Sequence, residues 1–393
     1  MFFSGKCFET SLRVSLILLA ALFVPFLVCA EDNDGPEHEC TSWMLFPDMT
    51  GENTTILHKN RDSRSRDVVV RKESDGTGLV WLGMGKSRPF GRANTRGFCM
   101  AVNSAGLAGV MNSGEKCTDN GKDPKATTTP QILEEIIKSC RTAKDAVKML
   151  QDFLKKGDYF HEKSGSIFFF ADVREGYLVE LTANFCSVQK CDTGFVARAN
   201  IWHHPGIEKY AVTDYRVYIL ESTREYVVRE ALNNAFAARK KVAVADILEL
   251  ARKTDTPHAI ITRSVCSSWT NSTSTFVVDR DYPDVLTTAY FCVGAPRHTV
   301  LLPIPICVKE LPEEMTSGKL SSASYKRLKE SNHCAEVPAE WLAFEKAALA
   351  DYSGALAKAK ELMKSGRKDE AAALLNTAFN SIWKKAKELP GLL

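Results

Sequence analysis

From residue 40 to about residue 110, apolar positions come in short runs separated by turn-forming residues. Residues 42–46 and 55–59 are two such runs, with Gly51 and Asn53 between them, and residues 67–70 are a third. This texture predicts strands. Residues 98–102 and 107–111 flank Asn103-Ser104-Ala105-Gly106, which reads as a hairpin turn. The period then changes. Residues 130–140 and 143–154 repeat apolar positions at helical spacing, and threonines with Pro130 supply a helix start. Strand-like runs return at 166–173 and 176–181, a predicted hairpin, and at 194–197. Residues 215–237 and 242–252 are helical by period, and 275–279, 286–293 and 298–304 are strands.

The order of strands, helices, strands, helices, strands predicts an α+β fold, a sandwich of two sheets between helical layers. A doubly wound nucleotide fold is disfavoured, because strands and helices do not alternate singly and no G-x-G-x-x-G follows a strand. Residues 341–389 are rich in Ala, Lys, Glu and Leu and predict two helices broken at Ser365-Gly366. The piece from Gly366 to Ala371 resembles one helix of a tetratricopeptide unit, but a lone unit has no neighbour to bury its face. A helical pair packed on the main domain is the simpler expectation.

The first 39 residues have a different character. Lys6 and Arg13 precede an apolar run over 14–30 that ends Val28-Cys29-Ala30. Basic residues, an apolar stretch and small residues at its end form the layout of a secretory signal peptide, with cleavage expected after Ala30. The run is short for a membrane span, and Pro25 interrupts it. Residues 31–39 are polar and acidic and read as a short pro-segment. The expected division is therefore signal peptide 1–30, pro-segment 31–39, main domain 40–310 and helical extension 311–393. The mature chain is expected in an exported compartment, off the membrane.

Composition adds exclusions. The chain has 393 residues, 45% hydrophobic and 25% charged, with a formal charge of +3. So small a charge on so long a chain gives no reason to expect nucleic acid as a partner. Twelve cysteines suit an oxidising compartment, and some disulfides are expected. Cys186 and Cys191 are spaced to bridge a hairpin or to be two buried thiols. No cysteine pair has zinc-site spacing, and His203-His204 on a strand would point to opposite faces, so neither a metal nor a cofactor is expected. The oligomeric state cannot be read from this pattern.

Cys40 opens the strand-rich region directly after the pro-segment. A cysteine attacks as its thiolate and needs a base. None of the eight histidines lies in a Cys/His peptidase signature. If the bond before Cys40 is cut, the residue's own α-amine, with a reference pKa of about 7.7–8.0, can accept the thiol proton. The alternative is that Cys40 forms half of a structural disulfide in a non-catalytic exported binding protein.

Cys40-Thr41-Ser42-Trp43, a turn, then His58-Lys59-Asn60-Arg61-Asp62 resembles the opening of the N-terminal-nucleophile cysteine hydrolases. These include the penicillin V acylase and bile-salt (choloylglycine) hydrolase group, the acid-ceramidase group and the isopenicillin acyltransferase-like group. The run from Ala101 to Asn112 resembles their next hairpin, and Ala199-Asn200-Ile201-Trp202-His203-His204 resembles their Thr-Asn-His segment. The motifs occur in the family's order over about residues 40–304, and the acyltransferase-like branch fits best. The resemblance implies an αββα sandwich, self-cleavage before Cys40, and hydrolysis of a linear amide in a small molecule through a thioester. Acyl transfer to an amine, or a dipeptidase activity, stays open beside it.

The resemblance also implies roles. Cys40 supplies thiolate and base amine, and Asp62 hydrogen-bonds that amine. Asn112 and Asn200 donate to the tetrahedral oxyanion, each contribution about 2.7–4 kcal/mol. Asn60 braces the site from behind. Lys59 stands where the family usually carries arginine; it keeps the cation but not the planar two-point contact. Trp81 and Trp202 are candidates for a pocket lining or for core packing.

Overall fold

The computed structural model describes residues 40–393 except 64–66, 75, 77, 87–96, 122, 162, 213–214, 255–263 and 332–335. The expected signal peptide and pro-segment, and Cys334, lie outside the described residues. Six strands come first: β1 Cys40–Leu45, β2 Thr54–Asp62, β3 Val68–Ser74, β4 Val80–Lys86, β5 Phe98–Asn103 and β6 Ala108–Lys116. Helices α1 Thr129–Ser139 and α2 Ala143–Lys155 follow, then β7 Ser164–Ala171, β8 Gly176–Leu181, β9 Cys186–Cys191 and β10 Phe195–Arg198. Next are α3 Tyr215–Arg239 and α4 Val244–Leu250, then β11 Thr270–Asp279, β12 Thr288–Cys292 and β13 Leu301–Pro305. The chain closes with α5 Lys319–Glu330, α6 Ala339–Lys364 and α7 Lys368–Lys387.

Two antiparallel sheets form. One has the order β10-β1-β2-β11-β12-β13 and the other runs β3-β4-β5-β6-β7-β8-β9. Side chains alternate across each strand, and here both faces are covered. On β1, Met44 points into the core between the sheets, while Trp43 and Leu45 face outward onto Val227, Val228 and Leu232 of α3. On β7, Ile167 and Phe169 point inward, while Phe168 and Phe170 meet Ile132, Leu133 and Ile136 of α1. Double burial explains why 167–171 is an unbroken apolar run rather than an alternating one. The result is the expected four-layer αββα sandwich.

Local chemistry sets the helix boundaries. The Gln131 side chain accepts from the Thr128 backbone N–H at 2.9 Å, and Thr142 Oγ1 accepts from Asp145 N at 3.1 Å, so α1 and α2 both start on capping threonines. The C-terminal helices cover the exposed edge at β13. Trp341, Tyr352 and Phe379 join the inter-sheet core, and Asn376 of α7 bridges Lys309 N and Cys307 O just past β13. An open sheet edge thereby gains a helical cover.

Two strands were not legible in the apolar pattern. β4 carries Gly83 and Gly85, which dilute its signal. A Cβ on Gly83 would sit 2.6 Å from the Phe98 ring, and one on Gly85 would sit 2.2 Å from Gly97 O, so these glycines admit a close neighbour. β9 is a polar edge strand. It also corrects the cysteine reading: Cys186 and Cys191 stand at opposite ends of this one strand, about 17 Å apart at strand rise, far beyond disulfide reach. Both are free thiols.

Candidate active site

Cys40 begins β1, opposite Arg61 of β2, and Ser42 lies opposite Lys59. Positions 40 and 42 share the inner face of the sheet, as do 59 and 61. Ser42 Oγ and Lys59 Nζ both donate to Asn112 Oδ1 on β6 of the other sheet, at 2.7 and 2.8 Å. The thiol therefore opens into the gap between the sheets with cationic side chains beside it. Cys40 is 5% exposed and unbridged. Lys59 is fully buried, and burial pushes its ammonium below the usual lysine range. Cys40 opposes that shift by its charge and a side-chain hydrogen bond, as does Cys99 by charge, while Arg61 adds to it.

The carboxylates occupy the outer face, where β2 meets α3. Asp62 Oδ2 accepts from Arg224 Nη1 at 3.0 Å, and Asp62 Oδ1 accepts from Thr270 Oγ1 at 2.5 Å. Arg224 also donates to Glu221 one turn earlier and to Asn200 Oδ1 at 3.0 Å. The Asp62, Glu221 and Arg224 side chains have no exposed surface. Burial raises the pKa of Asp62, an effect Arg224 opposes. It raises that of Glu221 likewise, with Arg224 opposing and Asp62 adding to the rise. One guanidinium thus stands between two buried carboxylates.

The two faces meet at the strand end. Cys40 N donates to Asn200 Oδ1 at 2.6 Å, and the same oxygen takes the Arg224 hydrogen bond. Asp62 thus reaches the Cys40 nitrogen through Arg224 and Asn200; Asn200 is the acceptor of the Cys40 N–H. The amide nitrogen of Asn200 donates to Ser113 O at 2.7 Å. That of Asn112 donates to Ala199 O at 3.0 Å and Arg198 O at 3.3 Å. An amide nitrogen has two hydrogens, so backbone carbonyls match both at Asn112. Its orientation is fixed, because the opposite flip would set its oxygen against two carbonyls. Asn112 therefore ties β6 to the segment after β10 and holds Lys59.

Asn60 donates to Ala251 O at 2.7 Å and Val265 O at 2.9 Å, anchoring the outer face of β2. His58 stacks on Trp43 with ring centroids 3.9 Å apart and bonds Thr275 and Asn60. Burial holds its pKa down to about 3, so it is a neutral packing residue. Trp81 and Trp202 are both core residues; a Cβ at Gly114 or Gly165 would fall 2.5 or 2.4 Å from the Trp202 ring, which seats the segment beyond Asn200. His203 and His204 lie in a loop, where both backbone N–H groups donate to Glu180 Oε2. Sequence reasoning missed Arg224, Glu221, Thr270 and Ser42.

The profile of the acyl-coenzyme A:6-aminopenicillanic acid acyl-transferase family matches residues 49–298, beginning nine residues after Cys40. A search of curated proteins gave no match. Among solved structures, a mutant conjugated bile acid hydrolase from Clostridium perfringens is similar at 11% identity, with 68% of this chain and 92% of that chain covered and a TM-score of 0.44. Penicillin V acylase from Agrobacterium tumefaciens is similar at 11% identity, over 68% of this chain and 86% of that chain, with a TM-score of 0.42. The family match spans well over half of the sequence, and the chain belongs to the acyl-coenzyme A:6-aminopenicillanic acid acyl-transferase family.

Proposed function

We propose that this protein is an exported amide hydrolase whose nucleophile is Cys40, activated by its own α-amine after cleavage of the bond between Glu39 and Cys40. The observation that carries this reading is the setting of the Cys40 nitrogen. It hydrogen-bonds Asn200, which leads to a buried cluster with two carboxylates and one guanidinium. With both carboxylates ionised, Arg224 balances one of the two negative charges among the described residues, and buried charge without a partner is costly. Cleavage turns a neutral amide nitrogen into an amine that can carry the missing charge, so the α-amine gains a fixed place and orientation.

In this reading the thiol gives its proton to the α-amine and attacks the carbonyl of a linear amide. The collapsing tetrahedral species returns the proton to the leaving amine, and water then releases the acid from the thioester. Asn200 is the proposed oxyanion donor. Asp62 and Glu221 act on the α-amine through Arg224 and Asn200. Arg61, opposite Cys40 on the inner face, has a buried Nη1 without a hydrogen-bond partner among the described residues. This suits a polar or anionic group on the substrate near the scissile bond. An amine in place of water makes the same site an acyltransferase.

The test is a panel of small N-acyl amides assayed with wild-type protein and Cys40→Ala, with acid quench and mass spectrometry of the protein. The expected result is amine release and a thioester on Cys40 in the wild type only. Equal turnover by Cys40→Ala would overturn the reading.

A further inference from the structure

The site must first generate its own base, and before cleavage the Cys40 nitrogen is an amide that cannot accept a proton. We propose that Lys59 carries the proton in this maturation step: its neutral amine takes the thiol proton from Cys40 and then delivers it to the departing Cys40 nitrogen. The proposal rests on the reading above and assigns a step that reading leaves without a base.

The geometry suits a proton carrier. Lys59 projects from β2 beside Cys40 on the inner face, and its Nζ is fixed by donation to Asn112 Oδ1 at 2.8 Å. A neutral amine has two hydrogens and one lone pair. One hydrogen is held by Asn112, and the lone pair remains for the thiol. The charged and titratable groups around it are Cys40 of β1, Cys99 of β5, and Arg61, Asp62 and His58 of β2. His58 is buried and neutral, and Asp62 belongs to Arg224 and Thr270. Burial favours the neutral amine and so supports the role. An arginine here would keep its proton at any working pH, so Lys59 gives the site a titratable group that an arginine at this position would not supply.

The step balances. Sγ–H passes its proton to Lys59 Nζ, and the sulfur bonds to the Glu39 carbonyl carbon. The C–N bond to Cys40 breaks as Lys59 returns the proton to that nitrogen. Water hydrolyses the resulting thioester, freeing the Glu39 carboxyl group, the Cys40 thiol and the α-amine. Lys59 ends as it began.

Full-length chain collected at about pH 5 is jumped to a series of higher pH values, and loss of residues up to Glu39 is followed by intact mass. The wild-type rate is expected to rise with pH and level off as Lys59 becomes neutral. Lys59→Arg keeps the cation but not the proton transfer, and is expected to mature about 100-fold or more slowly at neutral pH. In Lys59→Ala, ethylamine is expected to restore maturation in proportion to its unprotonated fraction, and ethylguanidine is not. Lys59→Arg maturing within about threefold of wild type, a pH-independent wild-type rate, or equal rescue by ethylguanidine each overturns the role of Lys59 while leaving Cys40 as nucleophile. Wild-type chain that keeps Glu39 at every pH overturns the underlying reading instead.

Discussion

Replacing Arg224 with methionine removes the cation that, among the described residues, binds both Asp62 and Glu221, while roughly keeping side-chain length. The Arg224–Asp62 pair is 3.0 Å long and all three side chains are fully buried. At an effective dielectric near 20 each such pair attracts by about 4 kcal/mol, and desolvating the guanidinium offsets much of that sum. Removing one partner of a buried pair costs about 3–5 kcal/mol, because a charge is left without compensation. The cost should depend on pH. With Arg224 gone, the folded-state pKa values of Asp62 and Glu221 rise further above their unfolded values. The variant's stability is then fully present below about pH 4 and is lost as pH rises through the raised folded values. The deficit against wild type should therefore be small in acid and reach its full size near neutrality. Urea unfolding followed by tryptophan fluorescence measures it at each pH. A deficit below about 1 kcal/mol at neutral pH, or one that does not change with pH, would refute the argument.

Other consequences are independent of that cluster. Burial holds His58 down to about 3 and His161 down to about 4, against 6.5 for an ordinary histidine. The unfolded chain binds more protons between those values, so stability is lost as pH falls from 6.5 towards 4, by about 1.4 kcal/mol per unit for each histidine; His161→Phe should flatten that slope in acid unfolding curves, and an unchanged slope would contradict it. Phe379→Ala removes a fully buried ring that α7 adds to the inter-sheet core, and should cost about 3–5 kcal/mol in the unfolding of the main domain, whereas a separate low-stability transition would show that α7 unfolds by itself. Asn200→Ala should lower kcat by about 100-fold or more with little change in KM; a pure KM effect would remove Asn200 from the oxyanion.

The sequence carried the sandwich because most strands and helices have clean periods and capping residues. The positions drawn from the ordered motifs, Cys40, Lys59, Asp62, Asn112 and Asn200, converge at the end of β1. How they divide the work was less legible. Period-2 alternation on β2 sends Lys59 and Arg61 to the inner face and Asn60 and Asp62 to the outer one. Lys59 therefore lies beside Cys40 on the inner face, and Asp62 reaches the Cys40 nitrogen from the outer face only through Arg224 and Asn200. Asn112 lies on a strand whose neighbours across the gap are backbone carbonyls, and only the folded arrangement shows that they take its hydrogens. Glu221, Arg224 and Glu225 are charged, and charged positions on a helix ordinarily read as its solvated face. The available signal was their spacing: 221, 224 and 225 lie on one helical stripe that continues into Val228 and Leu232. Charges on the buried stripe of a helix mark an internal site. Distance hid Thr270 as well, since it reaches Asp62 from 208 residues away.

The central claim is that Cys40 becomes the N-terminal residue and thereby gains its base. Intact mass and N-terminal sequencing of the purified protein, beside Cys40→Ala, test it most directly. The account requires a wild-type chain that starts at Cys40 and an alanine variant that still carries residues 31–39. A wild-type chain that starts at Glu31, with Cys40 oxidised into a disulfide, would contradict it.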